Sequence, residues 1–425
     1  MKQRKKRRLL ALGLVLLLLL SLTACNGNSG TDKLEKNEGT IHCFTDEVMA
    51  YSGYDKEKAN LAMTELSLRL LEENIATGGE EKNILISPAS IITALGMTTY
   101  GAKGETLAQM ESVFGISRAE LNAYNSDHLK ALSKEVKMAN SIWFTNDERL
   151  TVNDAFLQFN EEVYGTDIYE SAFNDATLRD INKWVEEKTD GMIKNILDEI
   201  PTDAVMYLIN ALAFEAEWEN KYDSTQIWKD AKFTTSTGEE QKVDMMRSEE
   251  WLYLSDEEAT GFIKRYKGGN YAFVALLPNE SVTVTDYVKN LTGEHLQNML
   301  ANPYKNAMVY AHLPQFSYEY DVEMSELLKA MGMTDAFNSS LADFTAMATS
   351  THGNIFISRV IHKTFIEVSP VGTKAGAATV VEAMDESASF LEEMYEVFLD
   401  RPFLYMIMDC ENNMPVFMGI VNSVE

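Results

Sequence analysis

Between Thr373 and Met384 the chain alternates with period two. Thr373, Ala375, Ala377, Thr379, Val381 and Ala383 form one face, all small or β-branched. Lys374, Gly376, Ala378, Val380, Glu382 and Met384 form the other, which carries the charges. Successive side chains of a strand point to opposite faces. Such a segment can therefore be buried on its small face without stranding a charge in a core. Small residues in a run like this build little core of their own. They suit a segment that moves or slides into a tight space, and the same composition also suits a flexible Ala/Gly loop. Phe365-Ile366-Glu367-Val368 precedes the run. The apolar tail Arg401-Pro402-Phe403-Leu404-Tyr405-Met406-Ile407-Met408 follows it beyond an acidic stretch.

The opposite end of the chain reads as a targeting segment. Lys2, Arg4, Lys5, Lys6, Arg7 and Arg8 make a basic start, and Leu9 to Leu20 an apolar stretch short for a membrane span. Leu22-Thr23-Ala24-Cys25 then resembles a bacterial lipoprotein signal, with cleavage before Cys25 and lipid on its sulfur. Two acyl chains would hold the protein to a membrane where one would not. Residues 1–25 are thus expected to be a signal peptide. Residues 26–45, rich in Gly, Asn, Ser, Thr and charge, are expected to be a flexible tether. No Pro/Gly/Ser-rich break divides residues 46–425, which read as one large domain.

The formal charge is −28, and removing the six basic residues of the signal takes the mature chain to −34. That surface repels nucleic acid, so a nucleic-acid partner is not expected. After Cys25 only Cys43 and Cys410 remain, too far apart in sequence to infer a pairing. No cysteine or histidine spacing suggests a metal site, and no cofactor is expected. There is no Gly-x-Ser-x-Gly elbow, Walker loop or His-x-x-x-His.

Ala59, Met63, Leu66 and Leu70 recur at helical spacing and predict a helix over about 57–75. Asn83-Ile84-Leu85-Ile86-Ser87-Pro88 reads as a strand stopped by proline, with a helix from Ala89 to Tyr100. Ile181, Trp184, Val185 and Lys188 fit another helix. Met206–Phe214, Tyr271–Leu277, Phe356–Val368 and Val416–Val421 read as strands. Helices early and strands late predict an α+β fold with mostly antiparallel sheets.

These segments resemble the serpins. Asn83-Ile84-Leu85-Ile86-Ser87-Pro88-Ala89-Ser90-Ile91 is similar to their N-terminal core motif, and Gly101-Ala102-Lys103-Gly104-Glu105-Thr106 to the turn after it. Asn210-Ala211-Leu212-Ala213-Phe214 with Trp218 resembles the central-sheet strand and its buried tryptophan. Leu313-Pro314-Gln315-Phe316, Met331-Gly332-Met333-Thr334-Asp335-Ala336-Phe337, Ile361-His362-Lys363-Thr364-Phe365-Ile366-Glu367-Val368, Arg401-Pro402-Phe403 and Phe417-Met418-Gly419 continue the match over about residues 50–425. The resemblance implies three β-sheets, about nine helices and an exposed reactive-centre loop. It implies a serine protease inhibitor, not an enzyme. The target attacks the loop, forms an acyl-enzyme, and is trapped when the cleaved loop inserts into the main sheet, a case among the handful of well-studied strand insertions. It places the hinge at Gly372, Thr373, Ala375, Ala377 and Thr379. It places Ser87, Ser90, Asn210 and His362, with Trp218, where the sheet opens. A hydrogen-bonded polar cluster there can hold the region shut and re-form after opening.

Two departures stand out. The family usually has acidic residues before the hinge glycine, where this chain has Pro370 and Val371. Proline cannot donate a ladder hydrogen bond, so a strand end is expected there. The loop also looks longer than usual. Counting 14 residues on from Gly372 puts the reactive bond at Glu386–Ser387. The extra length leaves Met384, Asp385, Phe390 and Leu391 open as alternatives. Ala383-Met384 would suit an elastase-like protease, Asp385-Glu386 a glutamyl-type one, and Phe390-Leu391 a chymotrypsin-like one. No Lys or Arg occurs from Ala375 to Asp400, which argues against a trypsin-like target. The expectation is a monomeric inhibitor, lipid-anchored to a bacterial membrane and facing the cell exterior. The alternative is a non-inhibitory serpin acting as a surface binding or carrier protein, which Pro370, the long loop and Gly376 allow.

Overall fold

Apolar side chains recur every third or fourth residue along the helical segments, and capping residues fix where those segments begin. The computed structural model describes residues 32–33, 54–79, 81–304, 307–373 and 393–425. The signal segment with Cys25, the tether with Cys43, Ala375, Ala377, Thr379 and every candidate for the reactive bond (Met384, Asp385, Glu386, Ser387, Phe390, Leu391) lie outside the described residues. Among the described residues there are nine α-helices. They are α1 (Lys56–Gly78), α2 (Pro88–Thr99), α3 (Gly104–Phe114), α4 (Arg118–Ala131), α5 (Asp154–Tyr164), α6 (Asp175–Lys188), α7 (Val284–Asn290), α8 (Gly293–Ala301) and α9 (Ser325–Ala330). Asp55 caps α1 by accepting from Lys58 N–H at 3.1 Å. Ser117 and Glu120 form a reciprocal capping box on α4. Ser87 caps α2, with Pro88 at the first helical position, where its missing N–H leaves nothing unpaired.

The strands follow in chain order. The first group is β1 (Asp32–Lys33), β2 (Ile84–Ile86), β3 (Val136–Thr145), β4 (Leu150–Val152), β5 (Asp167–Ser171), β6 (Met206–Phe214) and β7 (Ala216–Glu217). Then come β8 (Ile227–Thr234), β9 (Glu240–Glu250), β10 (Tyr253–Ser255), β11 (Ala259–Arg265), β12 (Tyr271–Pro278), β13 (Ala307–Pro314) and β14 (Phe316–Glu323). The last are β15 (Ala348–Ser350), β16 (Ile361–Val368), β17 (Gly372–Thr373), β18 (Glu393–Phe398), β19 (Phe403–Asp409) and β20 (Met414–Val421).

A six-stranded sheet, β10-β11-β12-β19-β20-β2, carries both main cores. One core lies against α1 and α2. The other gathers Trp218, Phe233, Tyr266, Phe273 and Tyr405. A second sheet, β18-β13-β9-β8, packs on the latter core. The main sheet is divided. One half is β1-β5-β3-β6 and the other is β14-β16-β17-β7. They share one run of chain, since β7 follows β6 after Glu215. The three sheets implied by resemblance are therefore present, the first of them split, together with a two-stranded ribbon β15-β4. Helix α6 covers the outer face of β3 and β6, where Trp143, Ile181, Trp184, Val185, Ile209 and Ala211 bury one another.

One expected strand is shorter than its apolar pattern suggests. The run from Phe356 pairs only from Ile361. Phe356 is exposed, and Ile355 and Ile357 pack individually onto the core. Residues 356–360 are thus extended chain without a ladder. Val360 N–H, just before β16, donates to Glu323 Oε1 (3.1 Å) and Ser325 Oγ (3.2 Å).

Candidate functional site

The two halves of the main sheet leave a cleft of about 710 Å³ between β6 and β16. Ser87, Ser90, Asn210 and His362 all line it. Four of the five residues expected at the opening of the sheet are thus brought together from α2, β6 and β16. Trp218 lies apart, at the head of the sheet, fully buried.

The polar groups do not form the single cluster anticipated. On one side Ser87 N–H donates to His362 Nε2 at 2.9 Å, and Ser87 Oγ donates to the Val416 carbonyl at 2.8 Å while receiving Ser90 N–H at 3.2 Å. On the other, Asn210 Nδ2 donates to Asn140 Oδ1 at 2.8 Å, and Asn140 Nδ2 to the Tyr164 carbonyl at 2.8 Å. Asn210 Oδ1 is buried among the described residues with no partner. The network parts along the same line as the sheet. A buried acceptor left without a donor is an unfavourable arrangement. Burial pushes the His362 imidazole down to about 4. Because a backbone N–H only donates, Nε2 must be the unprotonated nitrogen.

Sequence reasoning missed Thr364. Its Oγ1 donates to the Leu85 carbonyl at 2.8 Å and ties β16 to β2. The available signal was its place in the period-two inward series His362, Thr364, Ile366, Val368, all buried.

At the head of the cleft the chain turns back on itself. Ser369 N–H donates to the Gly372 carbonyl (3.0 Å) and Gly372 N–H to the Ser369 carbonyl (3.3 Å), closing a four-residue turn with Pro370 at its second position. Pro370 therefore sits just past the end of β16, as its missing donor requires. Three successive carbonyls of this turn are held. Ser369 O accepts from Trp218 Nε1 (2.8 Å), Pro370 O from Tyr222 N–H (3.0 Å) and Val371 O from Trp218 N–H (2.9 Å). Gly372 and Thr373 then run as β17 between β16 and β7, with Thr373 opposite Val368 on one side and Ala216 on the other. A Cβ at Gly372 would run into the Ala216 carbonyl, so only glycine lets the two backbones approach there. Thr373 is buried, and its Oγ1 lies 2.6 Å from Tyr266 Oη. Tyr266 stacks on Trp218 with centroids 4.5 Å apart, and Phe273 meets Trp218 edge-on.

Comparison with known proteins agrees with this geometry. The family described as serpin, serine protease inhibitor, matches residues 61–424, and the chain belongs to that family. The native state of tengpin, a thermophilic serpin, superposes with a TM-score of 0.80 at 42% identity over 88% of this chain and 95% of that one. Its latent state gives 0.77 at 40% identity, covering 88% and 100%. Serpin B4 of Homo sapiens is 31% identical over 81% of this chain and 94% of its own length. Serpins are in general protease inhibitors rather than catalysts.

Proposed function

We propose that this chain inhibits a serine protease by inserting its cleaved loop as a strand between β6 and β16. The observation that carries this reading is the register of β17. Continued past Thr373 in the inserted state, its two ladders would set Ala375 between Phe214 and Ile366, Ala377 between Leu212 and Thr364, and Thr379 between Asn210 and His362. Thr373 already points inward at Tyr266. Residues two apart from it follow inward, and these are the small face. β6 ends opposite Ala383. The cleft thus has room for about ten residues beyond Thr373, on the order of 33 Å of strand. Each inserted residue directs its N–H and C=O to one of the two flanking strands, so about twenty ladder bonds form at about 1 kcal/mol net each, and insertion releases on the order of 20 kcal/mol.

The chemistry belongs to the target. Its serine attacks the scissile carbonyl, the loop's C-terminal part leaves as an amine, and the N-terminal part stays esterified to the protease. Insertion carries that ester the length of the cleft before water can break it. The absence of Lys and Arg from Ala375 to Asp400 favours an elastase-, chymotrypsin- or glutamyl-type target. The basic start, apolar stretch and Cys25 support a lipoprotein held at a bacterial membrane and facing outward, acting as a monomer.

The test is incubation of the soluble chain, from Asn26 and so without the lipidated Cys25, with one protease of each type. The expected result is a complex that survives denaturation, with a released fragment whose mass fixes the reactive bond. Clean cleavage with no complex by all three would contradict the proposal and favour a binding or carrier serpin.

A further inference from the structure

Behind the clamp that holds the turn lies a buried ion pair that neither the sequence motifs nor the cleft accounts for. Lys264, on β11, is 2% exposed, and its Nζ lies 2.7 Å from Glu250 Oε1 at the end of β9. The ammonium sits 4.4 Å from the Tyr222 ring centroid and 5.5 Å from that of Trp218. Glu250 is itself fixed by Ser248 Oγ at 2.7 Å, and Ser248 Oγ lies 3.2 Å from Tyr222 Oη. Burial alone would push the Lys264 ammonium down. Tyr222 and Glu250 together overcome that and leave it raised, so the charge is kept.

A buried pair of this kind is poorly explained as a device for stability. Replacing one by apolar residues of similar volume is often neutral or stabilising, whereas a fixed charge pair selects one arrangement of its neighbours. Here those neighbours are Trp218 and Tyr222, whose N–H groups hold Val371 and Pro370. With these carbonyls pinned, the turn is fixed from Ser369 to Val371. We propose that Lys264 and Glu250 are positioning residues for strand insertion. They orient Tyr222 and Trp218 so that the turn at 369–372 is held in register when the loop enters the cleft.

The proposal rests on the inhibitory reading, and its test separates the two. Three mature chains are compared: the parent, the apolar double variant Lys264→Met/Glu250→Leu, and the charge-reversed double variant Lys264→Glu/Glu250→Lys. For each, the thermal midpoint of the intact chain is measured, then the rate at which the midpoint rises after loop cleavage by a protease that forms no complex. The number of inhibitor molecules consumed per protease inactivated is measured with a target that does form one. The expected result is an unchanged or higher intact midpoint in the apolar variant, with insertion slowed at least threefold and consumption raised in proportion. Charge reversal should recover part of the loss. Equal insertion rates in parent and apolar variant overturn the proposal. If the apolar variant does not fold, Lys264→Arg keeps the pair with altered geometry, and insertion at the parental rate in it overturns the proposal equally. Absence of any complex from the parent would count against the inhibitory reading alone, because insertion after cleavage is still read.

Discussion

Thr373→Arg is expected to turn the proposed protease trap into a protease substrate. Thr373 heads the inward face, 2.6 Å from Tyr266 Oη and buried against Trp218's stacking partner. A guanidinium there would have to lose its water with Tyr266 as its hydrogen-bond partner and no carboxylate in the stacked aromatic group. The penalty for an unpaired buried charge is several kcal/mol. Thr373 is already paired between β16 and β7, so the variant must either bury the charge or release β17 from the sheet, and insertion then starts without its first rung. Each 1.36 kcal/mol in the insertion barrier slows it tenfold while hydrolysis of the acyl bond continues unchanged. The expectation is at least a tenfold rise in inhibitor cleaved per protease inactivated, read by titrating a fixed amount of protease. Thr373→Val, which keeps the shape and loses only the hydroxyl, should stay inhibitory. An arginine variant that traps protease as efficiently as the parent would show that β17 is not the start of the inserted strand.

The second large effect concerns His362 and pH. Its neutral ring accepts from Ser87 N–H, and burial depresses its pKa to about 4 against an ordinary 6.5. The unfolded chain therefore takes up a proton between those values and the folded chain does not. Stability from this group is fully present above pH 6.5 and falls as pH drops toward 4, by about 3 kcal/mol in all. His128 and His312 are also pushed down by burial, so the informative quantity is a difference between variants. His362→Gln retains an acceptor for Ser87 N–H but does not titrate. Its urea midpoint should be flatter between pH 6.5 and 4, the two curves diverging by about 3 kcal/mol. Parallel curves would mean that the imidazole is not buried neutral.

The parts of this molecule that local pattern controls were readable in the sequence. Met206–Phe214 is a strand over that whole span, and the Ser87-Pro88 boundary is a strand end and helix cap, because each depends on residues a few positions apart. Period two puts Thr373 on the small face, and Thr373 is buried against Tyr266; the rest of that face lies outside the described residues. Other features depended on neighbours distant in sequence. Phe356 to Val360 has the apolar content of a strand but no partner beside it, and pairing is not visible in a single segment. Ser87, Asn210 and His362 were grouped by resemblance. That Asn210 turns to Asn140 rather than to His362 follows from β3 lying opposite β6, a tertiary fact. Lys264 was invisible for the opposite reason. A lysine in a strand reads as solvent-facing, and only the approach of β9 brings Glu250 to it.

The central claim is that the cleft between β6 and β16 receives the chain that follows Thr373. The most direct measurement is the thermal midpoint of the mature chain before and after its loop is cut once by a protease that does not form a complex. About twenty ladder bonds and a buried small face are gained on insertion, on the order of 20 kcal/mol. At roughly 1 °C per kcal/mol for a chain of about 400 residues, the midpoint should rise by on the order of 20 °C. A cut chain that melts at the temperature of the intact one would contradict the account, because the freed strand would then have left the cleft unfilled.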